Sequence, residues 1–181
     1  MPKTEARDVI LEILRNADGE WTGKTKLFKA FYFAHLYYAG ANPGILTNWP
    51  IACMPQGPGI NNSVKLFTGL VDDGLMTTEM VHDGPYPEYR YRLTDKARNA
   101  GSLPDAARDA IKTATLFCKD RSASELSQLT HERSRSWIQG NVGDILDIYI
   151  DLIPEDEYQS RLEEIGRLEN CLPKFLQEKT A

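Results

Sequence analysis

Apolar residues at helical spacing open the chain. Ala6, Ile10, Ile13, Leu14 and Ala17 fall on one face with charged residues opposite, which predicts a helix over 3–16 ended by Asp18-Gly19. Thr22 is the expected N-cap of a second helix that runs to Ala39 and stops at Gly40. Leu27, Phe28, Phe31, Tyr32, Leu36 and Ala39 give this helix a strongly aromatic face. Residues 41–59 break the pattern. Asn42-Pro43-Gly44 and Met54-Pro55-Gln56-Gly57-Pro58-Gly59 are turn chemistry around the short apolar stretch Trp49-Pro50-Ile51-Ala52-Cys53. The segment reads as a shaped loop, because it lacks the Lys and the strand–loop–helix spacing of a phosphate loop. A third helix, capped by Asn61 or Asn62, carries Val64, Leu66, Phe67, Leu70 and Val71 and ends at Gly74.

The period then changes to two. Residues 75–81 are strand-like, His82 to Pro87 form a turn cluster, and Glu88-Tyr89-Arg90-Tyr91-Arg92-Leu93 alternates strictly. Thr94 caps a short helix from Asp95 to Asn99, ended by Gly101. A helix over 104–119 buries Ala107, Ile111, Ala114 and Cys118, and Ser122-Ala-Ser-Glu125 is a capping box that opens the next, which ends around Thr130-His131-Glu132. Arg133 to Gly140 reads as a polar loop holding Trp137. In 144–153 the stripe Asp144, Asp147, Asp151 favours helix, while the alternation of Leu146, Ile148, Ile150 and Leu152 keeps a strand open. Pro154 starts a last helix from Glu155 to Glu169, and Cys171 to Phe175 is expected to pack. The fold class is mainly α with one β-hairpin: a winged-helix-like core over about 5–100, extended by C-terminal helices. The expected division is a domain over 1–140 and an acidic segment over 141–181, helical and packed on that domain.

Composition narrows the function classes. With 181 residues and 41% hydrophobic positions the chain can build a core, and its 13 Gly and 10 Pro follow no collagen-like period. No apolar run reaches membrane-spanning length, and the start lacks a signal-peptide stretch, so a cytoplasmic location with no membrane partner is expected. Acidic and basic residues balance over 1–100, so the whole net charge of −5 falls on 101–181. Phosphate binding rests on Lys and Arg, and this balance disfavours DNA as a partner without excluding a local basic stripe.

Candidate chemistry is sparse. The three cysteines, Cys53, Cys118 and Cys171, form no CxxC pair, and the three histidines are far apart. No catalytic, cofactor-binding or metal-binding residue is assigned, and no cofactor is expected. His35 reads as a hydrogen-bonded core histidine. His131 reads as a helix-end residue able to serve the last carbonyls, and Cys53 shows no base beside it. Lys24, Lys26 and Lys29 oppose the dipole at a helix start, and they read first as solvated lysines on a polar face. Tyr86, Arg90 and Arg92 at the hairpin, with Trp49, Gln56, Gly57 and Pro58 in the earlier loop, are the residue types and turns of a protein-docking surface.

Three segments in this order carry a resemblance. They are Lys26-Leu27-Phe28-Lys29-Ala30-Phe31-Tyr32-Phe33-Ala34-His35, then Gly57-Pro58, then Ser124-Glu125-Leu126-Ser127-Gln128-Leu129-Thr130-His131 followed by Trp137. Together they resemble the Panacea domain, the SocA-like antitoxin family, over roughly residues 8–140. Cys53-Met54-Pro55-Gln56 stands where the family usually has an aromatic residue before Gly-Pro. The resemblance implies a non-enzymatic antitoxin that neutralises a partner toxin by direct binding. The family-motif residues would be Lys26, Leu27, Lys29, Tyr32, His35, Gly57, Pro58, Glu125, Leu126, Thr130, His131 and Trp137. The helix–helix–helix–hairpin order supports an alternative, a winged-helix DNA-binding regulator. A homodimer is compatible with either, and an enzyme using His35 or His131 would need the two imidazoles to meet in one cleft.

Overall fold

A computed structural model of the chain describes residues 4–98 and 103–171. The protein is mostly helical, with one three-stranded and one two-stranded antiparallel sheet. It divides into two compact units, the first running to Asp151 and the second starting at Leu152. The first unit therefore takes in 141–151, beyond the boundary expected at 140.

The first helix, α1 (Ala6–Asn16), buries Ala6, Val9, Ile10, Ile13 and Leu14, which is its apolar stripe. Asp18 and Gly19 have positive φ, and the Gly19 N–H returns to the Leu14 carbonyl at 2.8 Å. This turn feeds strand β1 (Glu20–Thr22) instead of a helix. Thr22 pairs with Arg90 and is no N-cap; Gly23, at φ +96°, holds that position. Three residues with alternating burial are too short for a periodicity signal.

Helix α2 (Lys24–Ala41) is the centre of the unit. It is buried over consecutive positions, Leu27 to Tyr32, so packing surrounds it. It runs through Gly40, where nothing crowds the missing side chain, so glycine does not stop it. The segment read as a loop is a hairpin, β2 (Ile51–Met54) and β3 (Gly57–Ile60), joined at Pro55-Gln56. Its strand residues include Gly-Pro-Gly, which composition assigns to turns. They are strand here because β3 lies against α2 at a distance no side chain permits: a Cβ on Gly59 would overlap Met54 Sδ and Phe28. The expectation of one hairpin is thus corrected to two.

Helix α3 (Ser63–Asp72) follows Asn62, whose φ of +48° turns the chain without a side-chain cap. Strands β4 (Met76–Val81) and β5 (Glu88–Leu93) flank the 82–87 turn as expected, and the sheet order is β1–β5–β4. Thr94 caps α4 (Asp95–Arg98); the expected end at Asn99 to Gly101 lies outside the described residues. Helix α5 (Asp105–Lys119) buries Ala107, Ile111, Ala114 and Cys118 and packs along α2, with Phe33 and Phe117 edge-to-face at 5.0 Å. Helix α6 (Ala123–Arg133) opens on the capping box of Ser122 and Glu125.

Arg133 to Gly140 is not a loop: Ser134 caps a short helix, α7 (Arg135–Gln139). The 144–153 segment is neither the favoured helix nor a full strand. Cys53 N–H bonds the Asp144 carbonyl at 2.8 Å and Leu146 N–H bonds the Ile51 carbonyl at 2.8 Å, so its first half extends the β2–β3 sheet. Its second half is a 3-10 turn, Ile148–Leu152. The mixed periodicity reflects two conformations in succession. In the second unit, α8 (Glu155–Cys171) begins with Glu155, Asp156 and Glu157, the charge order that a helix dipole favours. The expected packing of Cys171 to Phe175 lies outside the described side chains. Among the described residues no helix is long and apolar enough to cross a membrane.

Candidate functional site

Lys29 sits at the inner face of α2 and is only 1% exposed. It is not one of the solvated lysines expected from its place near the helix start. Its ammonium donates to the Gln56 carbonyl at 2.5 Å and lies 3.4 Å from the Pro58 carbonyl. Burial pushes this amine down to about 7. Gly57, between the two carbonyls, has φ +99°, and a Cβ there would fall on Lys29 Nζ and Thr130 Oγ1. Three distant segments meet at this point: the first half of α2, the tip of the β2–β3 hairpin and the end of α6. Thr130 turns its hydroxyl back to the Leu126 and Ser127 carbonyls at 3.1 and 3.0 Å.

The next residue, His131, stacks on Trp137 with ring centroids 4.0 Å apart and planes 5° from parallel. The Trp137 indole N–H donates to the Met54 carbonyl at 2.8 Å, so α7 anchors the other side of the hairpin tip. His131 Nε2 is enclosed without a hydrogen-bond partner. It does not serve the last carbonyls of α6 as the helix-end position had suggested.

A second network ties down the end of the first unit. Asp151 Oδ2 accepts from Tyr32 Oη at 2.7 Å, Ser136 Oγ at 2.7 Å and Ser134 Oγ at 3.1 Å, and its Oδ1 accepts from the Ser136 N–H at 2.8 Å. Burial and the adjacent carboxylate hold the Tyr32 phenol well above its ordinary range. Nothing local in the sequence marks Asp151, Ser134 or Ser136; only their convergence on Tyr32 does.

His35 lies away from these groups. It is 1% exposed, with Nδ1 2.9 Å from the Phe31 carbonyl and Nε2 3.2 Å from Thr47 Oγ1. A carbonyl only accepts, so Nδ1 carries the proton and Nε2 accepts from Thr47. Burial lowers this imidazole to about 4, leaving it neutral. The two imidazoles therefore occupy separate environments. Cys53 and Cys118 are buried free thiols, and burial raises both, Cys118 to about 12. Among the described residues no group of three or more His, Cys, Asp or Glu is placed to hold a metal ion.

Over the hairpin tip lies an open cleft of about 730 Å3, lined by Thr25, Gln56, Ser127, Gln128, His131 and the 77% exposed Tyr86. Gln56 and Tyr86 therefore share a surface, although thirty positions of mixed structure separate them in the chain. Gly57 and Pro58 are buried beneath it and support the tip, so of these three only Gln56 is exposed. Trp49 lies elsewhere: its indole N–H donates to the Asn61 carbonyl at 2.6 Å, and its ring borders a different depression, with Pro50 and Leu66. Arg90 and Arg92 belong to an ion-pair cluster. Arg90 contacts Glu20, Glu79 and Asp83; Arg92 reaches Glu20 and Glu79 at 2.6 Å each.

The remaining motif residues hold structural positions. Lys26 donates to the Lys119 carbonyl at 3.0 Å and stands over the Trp21 ring, and Leu27 is buried. Glu125 completes the capping box, and Leu126 is fully buried beneath α6. No protein-family model, no curated protein and no solved structure matches the chain.

Proposed function

We propose that this chain is a cytoplasmic protein-binding module that acts as an antitoxin, holding a partner toxin by direct contact. The observation that carries the reading is the cleft where α2, the β2–β3 tip and α6 meet. It offers hydroxyl and amide groups, with the His131 imidazole and the Glu132 carboxylate, beside an exposed tyrosine. Such groups suit the backbone and polar side chains of a docked protein, with Tyr86 as an aromatic anchor. The tip is held by Lys29, Gly57 and Trp137, so the surface is preorganised and loses little entropy on binding. The net charge of −5 and the acidic start of α8 favour a basic partner. Buried free thiols at Cys53 and Cys118 suit a reducing compartment.

The meeting of Lys29, Gly57, Thr130, His131 and Trp137 supports the Panacea resemblance, since residues quoted from three separate motifs stand around one tip. The order α1–β1–α2–α3–β4–β5 with strands arranged β1–β5–β4 supports a winged-helix-like core carrying the β2–β3 hairpin as an insertion. That order is the one support for a DNA-binding regulator. The charges weigh against it, because Arg90 and Arg92 are already engaged by three carboxylates.

Co-expression with the product of the adjacent gene tests the reading. Rescue of growth and a stable complex, both weakened by Tyr86→Ala, are expected. Absence of toxicity and of a complex overturns it. Binding to the chain's own promoter DNA that weakens steeply with salt would establish the regulator instead.

A further inference from the structure

Strand β4 is an edge. In the β1–β5–β4 sheet it is bonded to β5 on one side, and no described strand pairs with the other. It spans 6 residues, Met76-Thr77-Thr78-Glu79-Met80-Val81, with one charge and neither Pro nor Lys. Natural edges are usually shortened, charged or covered against pairing with another chain, and β4 has little of this protection. The opposite edge, β1, is only 3 residues long.

The ladder fixes which groups face outward. The Thr94 N–H bonds the Leu75 carbonyl, and bonded pairs alternate along an antiparallel pair. Thr77, Glu79 and Val81 therefore bond β5, while Thr78 and Met80 direct their N–H and C=O away from the sheet. The side chains of the same two residues share a face with Tyr89 and Tyr91, their partners across β5. On that face, between α3 and the hairpin, runs a groove of about 320 Å3 lined by Val64, Phe67, Val71, Thr78 and Tyr89, with Lys24 turned over the Phe28 ring at its end. Val64 is 73% exposed and Met80 53%. Free backbone groups and an apolar groove thus lie on the same side of one strand.

The other face of the sheet is acidic. Glu79 sits there with Arg90, Arg92, Glu20 and Glu88, and Asp83 joins them through Arg90. Carboxylates outnumber guanidiniums, and each guanidinium is already paired. An added strand would place alternate side chains over the groove and over this acidic face. A second copy of β4 would set two acidic faces side by side, which disfavours self-pairing.

We infer that the outer edge of β4 and its groove receive an extended segment of a basic protein, alternating apolar and Lys or Arg residues, which adds as a further strand. The inference rests on the reading of the chain as a protein-binding module and names a surface distinct from the Gln56–Tyr86 cleft. The test uses the full chain and a short synthetic peptide alternating Val and Lys, with a Val–Glu peptide as its counterpart. The Val–Lys peptide should bind and slow amide exchange at Thr78 and Met80. The Val–Glu peptide should bind at least about tenfold more weakly. Thr78→Pro removes the outward N–H without touching the β5 ladder, and Met80→Lys places a charge on the face that carries the groove. Each should weaken Val–Lys binding by about tenfold or more, while unchanged unfolding curves confirm that the variant is folded.

Unaltered exchange at Thr78 and Met80, equal binding of the two peptides, or full binding by Thr78→Pro overturns the inference. Concentration-dependent protection without peptide, with a dimer in sedimentation, also overturns it by assigning the edge to a second copy. A partner that co-purifies equally with Thr78→Pro refutes this surface and leaves the antitoxin reading intact. Peptide-induced protection in a chain that binds no toxin does the reverse.

Discussion

Lys29 Nζ stands 2.5 Å from the Gln56 carbonyl oxygen, so a side chain from the central helix supports the tip of a hairpin. The geometry exists because the next residue, Gly57, carries no side chain to displace the ammonium. One residue supplies the charge and the other the space. A cation buried this deeply loses its hydration, and the carbonyls of the tip offset that loss only in part, so the amine is pushed down to about 7.

Gly57→Ala meets two penalties at once. The φ of +99° is unfavourable for an L side chain, and the new Cβ falls on Lys29 and Thr130. A loss of about 3 kcal/mol is expected in urea unfolding. A loss below about 1 kcal/mol would refute the close approach of β3 to α2.

Lys29 makes stability depend on pH. Its amine titrates near 7 when folded against an ordinary 10.5. Between these values the unfolded chain binds more protons, so stability rises as pH rises from about 7 toward 10.5, by at most about 1.4 kcal/mol per pH unit. It is lost again as pH falls through the folded value. Lys29→Met should flatten that rise. An equal slope in the variant and the parent protein, measured by denaturant unfolding, would assign the effect to other groups.

His35 acts in a lower window. Its folded value of about 4 lies below the ordinary 6.5, so the unfolded chain again holds the extra proton. Stability is fully present above about 6.5 and declines as pH falls through 4. Imidazole resonances followed by NMR should show His35 neutral at pH values where an ordinary histidine is already charged. Titration at the ordinary value would contradict its enclosure by Phe31 and Thr47.

Asp151 is the hub that fixes the end of the first unit. Asp151→Ala leaves Tyr32, Ser134 and Ser136 without their acceptor and should cost about 2–4 kcal/mol. Tyr32→Phe should cost less, about 1–2 kcal/mol. In the double variant the two effects should fall short of additivity by about 1 kcal/mol, because both remove the same bond. Strict additivity would mean that Tyr32 and Asp151 do not interact.

The long helices were legible because each reports its own environment. In α5 the buried stripe Ala107, Ile111, Ala114 and Cys118 repeats at helical spacing, and Ser122 and Glu125 announce the start of α6 through a bond between near neighbours. The β4–β5 hairpin was equally readable, since Tyr89, Tyr91 and Leu93 alternate with charges. These are effects of adjacent residues, and sequence alone determines them.

Other features depend on partners far along the chain. Gly57 and Gly59 look like loop residues until α2 is seen to need the space they leave. Lys29 reads as solvated from its helix and is buried because the Gln56 carbonyl reaches it. Thr22 becomes a strand only by pairing with Arg90, and Asp151 becomes a hub only when Tyr32 and two serines converge on it. Sequence by itself determined the bodies of the long helices, the Ser122–Glu125 capping box and the outer hairpin, because a local pattern of burial suffices to specify them. The tertiary structure alone decided which charged groups are buried, where the second hairpin lies and which residues share a surface, because those outcomes depend on contacts across the fold.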